Sequence, residues 1–268
     1  MQNSQISSLQ SPHVERVKAL LGPRGKKFRQ SEKAFIADGL QSVREALSPK
    51  IESAPKVEKL YVSEAGWQKI QEEIAPEVLA NTDIFPVTDQ VMAEMADTES
   101  PQGIIALCSY TQMTMYKIAQ KKPIRLAYFW EIQDPGNCGT VIRTADACGF
   151  DAVIFSEKSV DAYSPKTVRA TVGSLWHIPV VENIGLEEII SFAKEHEFAT
   201  IAFAGESEVS ILDAQIPEKS ILIFGNEARG LPEIADLDQR LKIPMKGFSE
   251  SLNVASAAAI AMFHVGLK

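Results

Sequence analysis

The run Ile124-Arg125-Leu126-Ala127-Tyr128-Phe129-Trp130-Glu131-Ile132 leads directly into Gln133-Asp134-Pro135-Gly136-Asn137-Cys138-Gly139-Thr140-Val141-Ile142-Arg143-Thr144-Ala145. An apolar run, a tight Pro-Gly-Asn turn and a helical pattern describe a strand feeding the helix that covers it. Asn137 reads as the helix N-cap, with Val141, Ile142 and Ala145 turned inward. Further apolar runs follow at Ala152–Phe155, Ile178–Val181, Ala199–Ala204, Ile221–Phe224 and Leu241–Ile243, separated by helical stretches. That alternation predicts an α/β fold with a mostly parallel sheet and helices on both faces. The last helix, expected from about Leu252 to Leu267, is apolar nearly all round from Val254 to Phe263. A helix without a polar face must be buried in the core or against another subunit.

Working outward, the N-terminal part reads as a second, smaller α/β unit. Ser11-Pro12 opens a short capped helix that Gly22-Pro23 ends. A helix at 39–48, a strand at 57–62, a helix within 64–79, a strand near Ile84-Phe85, a helix around 88–96 and an apolar strand at 103–108 follow. The expected division is a domain over 1–110, a linker over 111–123, which lacks periodicity and ends Lys121-Lys122-Pro123, and a domain over 124–268.

With 45% hydrophobic and 23% charged residues among 268, the composition is that of a globular protein. No apolar run is long enough for a membrane span, and Met1-Gln2-Asn3-Ser4 opens the chain without an apolar leader core. Cys108, Cys138 and Cys148 form no CxxC pair, so neither disulfides nor a metal is expected, and the cytoplasm is the expected location. The net charge of −8 is unevenly spread: residues 1–50 hold nine Lys/Arg against four Asp/Glu, a balance of +5 that leaves −13 for the rest. Arg24, Lys26, Lys27 and Arg29 stand together in the positive part. They read either as a solvated loop beside a helix end or as a phosphate-facing patch for RNA.

Ligands of open α/β sheets gather beyond the carboxyl ends of the strands, and three loops there have unusual compositions. The 133–145 loop has no three-glycine dinucleotide fingerprint, and Arg143 in it fits either a surface salt bridge, for instance with Asp146, or a functional role. Gly225-Asn226-Glu227-Ala228-Arg229-Gly230-Leu231 is either a plain turn or a place where backbone amides meet a ligand. In Ile243-Pro244-Met245-Lys246-Gly247-Phe248-Ser249-Glu250-Ser251-Leu252-Asn253, Ser251 could cap the last helix. Asn253 reads as an amide within that apolar helix, bonded to nearby backbone or lining a site.

Taken together, Asn137-x-Gly139-x-x-x-Arg143-x-Ala145, Gly225-Asn226-Glu227-x-x-Gly230-Leu231, and Ile243-Pro244-Met245 with Ser251-Leu252-Asn253-Val254-Ala255 resemble the three ordered motifs of the SpoU/TrmH branch of the SPOUT RNA methyltransferases. The stretch Ser164–Ser174 resembles the family segment between the first two motifs, so the likeness covers 124–268 end to end. Upstream, Phe35-Ile36-Ala37-Asp38-Gly39 and Pro101-Gln102-Gly103-Ile104-Ile105-Ala106 resemble the ribosomal-protein-like RNA-binding domain that often precedes the catalytic one. Two departures are Ala37-Asp38-Gly39 in place of Val-Glu-Gly and Ala228 in place of glycine, whose Cβ narrows the second loop.

The resemblance implies a C-terminal trefoil knot, S-adenosylmethionine as cofactor, and methylation of a ribose 2′-hydroxyl on structured RNA, ribosomal in preference to transfer RNA. It implies a homodimer that completes the site. Gly225, Ile243 and Leu252, with Asn253, would hold the cofactor. Arg143 would be the central catalytic residue, with Asn137, Glu227, Ser251 and Asn253 orienting it, the ribose and the methionine portion. A guanidinium stays protonated, so clamping a phosphate and stabilising a developing oxyanion suit Arg143 better than acting as a base. Competing readings are an inactive RNA-binding relative, which loss of cofactor binding would mark, and a nicotinamide-dependent oxidoreductase, for which the glycine fingerprint is missing.

Overall fold

The computed structural model describes residues 3–234 and 236–266, so the expected helix end at Leu267 lies outside the described residues. In chain order the elements are α1 (Pro12–Leu21), α2 (Gly25–Glu32), β1 (Ala34–Asp38), α3 (Leu40–Leu47), β2 (Lys56–Val62), α4 (Glu64–Glu73), α5 (Pro76–Ala80), β3 (Ile84–Pro86), α6 (Asp89–Met95) and β4 (Ile104–Ser109). They continue as α7 (Met115–Gln120), β5 (Arg125–Phe129), α8 (Pro135–Ala147), β6 (Ala152–Phe155), α9 (Pro165–Thr171), β7 (Val180–Val181), α10 (Leu186–Glu195), β8 (Ala199–Phe203), β9 (Val209–Ser210), β10 (Ser220–Phe224), β11 (Gln239–Lys242) and α11 (Val254–Gly266). They form two compact units. One comprises the residues up to Gln112 together with Tyr163–His177; the other comprises Met113–Ala162 together with Ile178 onward.

The first unit is built on a four-stranded sheet in the order β1-β4-β2-β3. β4 is antiparallel to both its neighbours, and β2 runs parallel to β3. Ser11 caps α1 by accepting from the His13 amide, and Val14, Val17 and Leu20 bury its apolar face. α2 is a helix where no apolar period announced one: Gly25 and Arg29 are its buried residues. Arg29 is 5% exposed and its guanidinium donates to the Leu20 carbonyl near the end of α1. It therefore leaves the expected basic patch, because an inward guanidinium bonded to a carbonyl cannot face a phosphate. Arg24, Lys26 and Lys27 are exposed. The upstream motifs meet where Gln102 Oε1 accepts from the Leu40 amide at 2.9 Å and Gly39 N donates to the Ile104 carbonyl at 3.0 Å.

The boundaries differ from expectation in two places. Residues 163–177, with α9 and a 3-10 turn at Ser174–Trp176, group with the first unit. Phe35 of β1 meets Tyr163 at 5.1 Å and Trp176 at 6.0 Å between ring centroids, and Trp176 Nε1 donates to the Pro55 carbonyl. The expected linker holds α7, capped by the Thr114 side chain, and its Met115 and Ile118 are buried in the core of the second unit.

That second unit carries a seven-stranded sheet in the order β7-β6-β5-β10-β8-β11-β9, and every adjacent pair in it is parallel. Leu126, Tyr128, Ile154, Ile221 and Ile223 pack with Ile118 of α7 and Ile189, Phe192 and Ala193 of α10. Alternate residues on a strand face opposite ways, and at the carboxyl ends this places Phe155, Phe129, Phe224 and Phe203 side by side on β6, β5, β10 and β8. Their rings lie 5.8, 5.0 and 5.1 Å apart in turn, an aromatic floor at the edge where ligands gather. α11 packs against α8 and β10. Among the described residues no helix is long and apolar enough to cross a membrane.

Candidate active site

The helix α8 begins at Asp134, not at Asn137: the Asp134 carboxylate accepts from the Asn137 amide at 2.8 Å and Pro135 occupies the first turn. Asp-Pro is itself a helix-start signal, an acidic cap followed by proline in the first turn. Asn137 is thereby freed for contacts beyond its own helix. Its Nδ2 donates to Glu227 Oε1 at 3.2 Å, and its Oδ1 accepts from Asn253 Nδ2 at 3.0 Å.

Glu227 sits at the amino end of α8. Besides Asn137, its carboxylate accepts from the Gln133 amide at 3.3 Å and the Asp134 amide at 3.4 Å. A helix amino end carries partial positive charge and unpaired amides, and the first turn of α8 contains no acidic residue of its own. Glu227, ninety residues further on from Asn137, adds a second carboxylate beside the Asp134 cap, this one from outside the helix.

Asn253 is not an amide buried within the last helix. It is exposed, and its Oδ1 accepts from the Ala255 and Ser256 amides at 2.9 and 3.3 Å. Asn253 therefore caps α11, the role considered for Ser251. Ser251 instead accepts from Ser249 Oγ through its carbonyl and faces the cavity.

The 225–231 turn is held by its own backbone. Asn226 and Gly230 exchange both amide–carbonyl bonds, at 3.0 and 2.9 Å, and the Asn226 Oδ1 accepts from the Ala228 and Arg229 amides. A Cβ on Gly225 would fall 2.4 Å from the Gly230 carbonyl carbon. The glycine is needed so that the turn can fold back on itself, and Gly230, with φ +65°, completes the reversal. Ala228 is exposed on the turn.

A cavity of about 370 Å³ opens between these loops, in the range of small-molecule pockets, roughly 300–1,000 Å³. Gly225, Glu227, Ile243, Ser251 and Leu252 line it, over Phe203 and Phe224 of the aromatic floor. Asn137 and Asn253 brace it from α8 and α11. Arg143 stands apart: it is exposed on α8 and makes no hydrogen bond or ion pair among the described residues, so the salt bridge with Asp146 does not form. A larger cavity of about 590 Å³, lined by Trp67, Gln71 and Asp83 in the first unit, gathers none of the motif residues. The chemistry therefore selects the smaller cavity.

Residues 125–263 match the model of the SpoU rRNA Methylase family, and residues 14–106 match that of the MRM3-like substrate binding domain. The chain is 33% identical over 263 residues, 97% of its length and 99% of the relative's, to the 23S rRNA (guanosine(2553)-2′-O)-methyltransferase RlmP of Bacillus subtilis. It is 27% identical over 253 residues, 91% and 86% of the two chains, to the 23S rRNA (uridine(2479)-2′-O)-methyltransferase of Streptomyces viridochromogenes. Among solved structures, an AdoMet-bound rRNA methyltransferase from Sinorhizobium meliloti superposes with a TM-score of 0.83 at 27% identity, over 98% of this chain and 97% of the other.

Proposed function

The chain belongs to the SpoU rRNA methylase family, and on that footing we propose that it transfers a methyl group from S-adenosylmethionine to a ribose 2′-hydroxyl of ribosomal RNA. The observation that carries this reading is the cavity between the second and third motif loops, braced by the bonds from Glu227 to Asn137 of the first motif and on to Asn253. Its residues fit the cofactor: Gly225, Ile243 and Leu252 offer backbone groups and apolar walls, and Phe203 and Phe224 provide a flat floor. When bound, S-adenosylmethionine supplies a methyl group on a sulfonium, open to in-line displacement. Asn253, Asn137 and Glu227 keep the α8 and α11 amino ends fixed against the cofactor loop, so that the reacting groups meet in one geometry. Ser251, at the cavity wall, is placed to orient the ribose or the methionine portion.

Arg143 is assigned to the substrate. An exposed guanidinium with no partner among the described residues is available to hold a phosphate bidentately and to stabilise charge growing on the 2′-oxygen. We place this role in a homodimer, for which the exposed Ile260 and Phe263 on α11 supply an apolar stripe. The first unit recognises RNA, using Arg24, Lys26 and Lys27, and the second performs the chemistry. The trefoil threading of the C-terminal segment belongs to the same proposal, supported by the strand order in which β8 lies between β10 and β11 and by the return of α11 onto α8. A cytoplasmic location belongs to the same proposal, supported by relatives that modify ribosomal RNA.

The test is methyl transfer from labelled S-adenosylmethionine to large-subunit ribosomal RNA that lacks the modification. Label in alkali-resistant dinucleotides supports the reading, because 2′-O-methylation blocks cleavage. Label in a base, or none, overturns it.

A further inference from the structure

Glu131 follows β5 and has no place among the three motifs. It is nevertheless 5% exposed, a rare setting for a carboxylate, and its φ of +51° lies in the left-handed region that non-glycine residues avoid. Strain of this kind persists where surrounding contacts over-determine it, and here they do. The Glu131 amide donates to Ser156 Oγ at 2.7 Å. Its carbonyl accepts from Asn226 Nδ2 at 2.7 Å and Gln133 Nε2 at 3.0 Å. Its carboxylate pairs with Arg229 through Oε2 and with Lys158 through Oε1, the latter at 3.4 Å. Arg229 also lies over the Trp130 ring, 5.6 Å from its centre.

Two of these contacts fall on either side of Glu227. The carbonyl holds Asn226, whose own Oδ1 shapes the turn, and the carboxylate holds Arg229 at the turn's far side. From these contacts we propose that Glu131 is a positioning residue that sets the 225–231 turn, and so fixes both the shape of the methyl-donor cavity and the reach of Glu227 to α8. The left-handed backbone is what turns the Glu131 carbonyl and carboxylate toward one loop at once. Glu131 touches neither methyl donor nor RNA; it acts through the turn. The inference rests on the cavity being the S-adenosylmethionine site.

The experiment compares Glu131→Gln, Glu131→Asp, Arg229→Met and the Glu131→Gln/Arg229→Met double variant with the unsubstituted protein, using calorimetric affinity for S-adenosylmethionine, KM and kcat, and melting temperature. Glu131→Gln and Arg229→Met should each weaken methyl-donor affinity by about ten-fold, raising its KM with kcat little changed, and the double variant should lose no more than either, as coupled neighbours do. Glu131→Asp should recover part of the loss. Arg229 is largely exposed, so its variant folds whatever becomes of Glu131→Gln. Unchanged donor affinity in Arg229→Met, additive losses in the double variant, or affinity that falls only in step with melting temperature overturns the inference. Failure of the unsubstituted protein to bind S-adenosylmethionine overturns the proposed function instead, and the two failures are thereby distinct.

Discussion

Asn253 Nδ2 donates to Asn137 Oδ1 at 3.0 Å across 116 positions of sequence. Both amides are used at both ends. Asn137 passes its own Nδ2 to Glu227, and Asn253 spends its Oδ1 on the first amides of α11. One chain of side-chain bonds therefore links the three motif loops, and a break at any member is felt at the others.

Asn253→Ala removes the cap of α11 and the brace on Asn137 together. Loss of an N-cap costs about 1 kcal/mol, so urea unfolding should shift by that much, and methyl transfer should fall further than stability alone explains. Asn137→Asp sets a second carboxylate against Glu227 in place of a donor. It should weaken S-adenosylmethionine binding more than Asn137→Ala, and equal affinities for the two variants would contradict the bond to Glu227.

Gly225 and Gly230 should respond differently to alanine. A Cβ at Gly225 collides with the backbone of Gly230, whereas one at Gly230 meets nothing within 4 Å. Gly225→Ala should abolish methyl-donor binding. Gly230→Ala carries only the left-handed strain, about 1–2 kcal/mol, and should retain binding at reduced stability. Calorimetry on the two purified variants decides it.

Arg143→Ala should leave S-adenosylmethionine affinity nearly intact and abolish turnover, because Arg143 lies outside the cavity and carries no structural bond among the described residues. Single-turnover methylation of the substrate RNA measures the chemical step directly. A variant that keeps most of its rate removes Arg143 from the mechanism.

Arg24, Lys26 and Lys27 replaced by glutamine should weaken RNA binding and flatten its salt dependence by about 0.7–0.9 in slope for each phosphate no longer neutralised. Arg29→Gln should behave in the opposite way. Its guanidinium satisfies the buried Leu20 carbonyl, so the loss is roughly 1–3 kcal/mol of stability with the salt slope unchanged. Filter binding across a salt series, set beside melting curves, separates the two.

Ile260→Glu with Phe263→Glu puts charge on the exposed apolar stripe of α11. Sedimentation should show the unsubstituted protein as a dimer and the double variant as a folded monomer without methyl-transfer activity. A stable monomer for the unsubstituted chain at micromolar concentration would contradict the dimer.

The parallel sheet was legible because its strands are continuous apolar runs such as Ile221–Phe224, and the three loops were legible by their ordered residues. What the sequence does not reveal depends on tertiary partners. α2 has no apolar period, since its buried side chain is an arginine whose burial depends on a carbonyl of the preceding helix. The grouping of 163–177 with the first unit comes from Phe35 meeting Tyr163 and Trp176, a pairing no local pattern reveals. Asn253 reads from the sequence as an interior amide because the apolar run around it blurs where the helix begins. Its bonds are to nearby backbone, one of the two expected outcomes, but as an exposed cap, fixed by which amides its oxygen reaches. Glu131 carried no composition signal at all; its significance lies in burial and a positive φ.

Ribose methylation of ribosomal RNA by this cavity and Arg143 is tested most directly by mapping 2′-O-methylation across total RNA from cells with and without the gene. A ribosomal RNA ribose should lose its methyl group in the deletion, regain it with the unsubstituted gene, and not regain it with Arg143→Ala. An unchanged ribose map, or a methyl group missing only from transfer RNA or from a base, would contradict it.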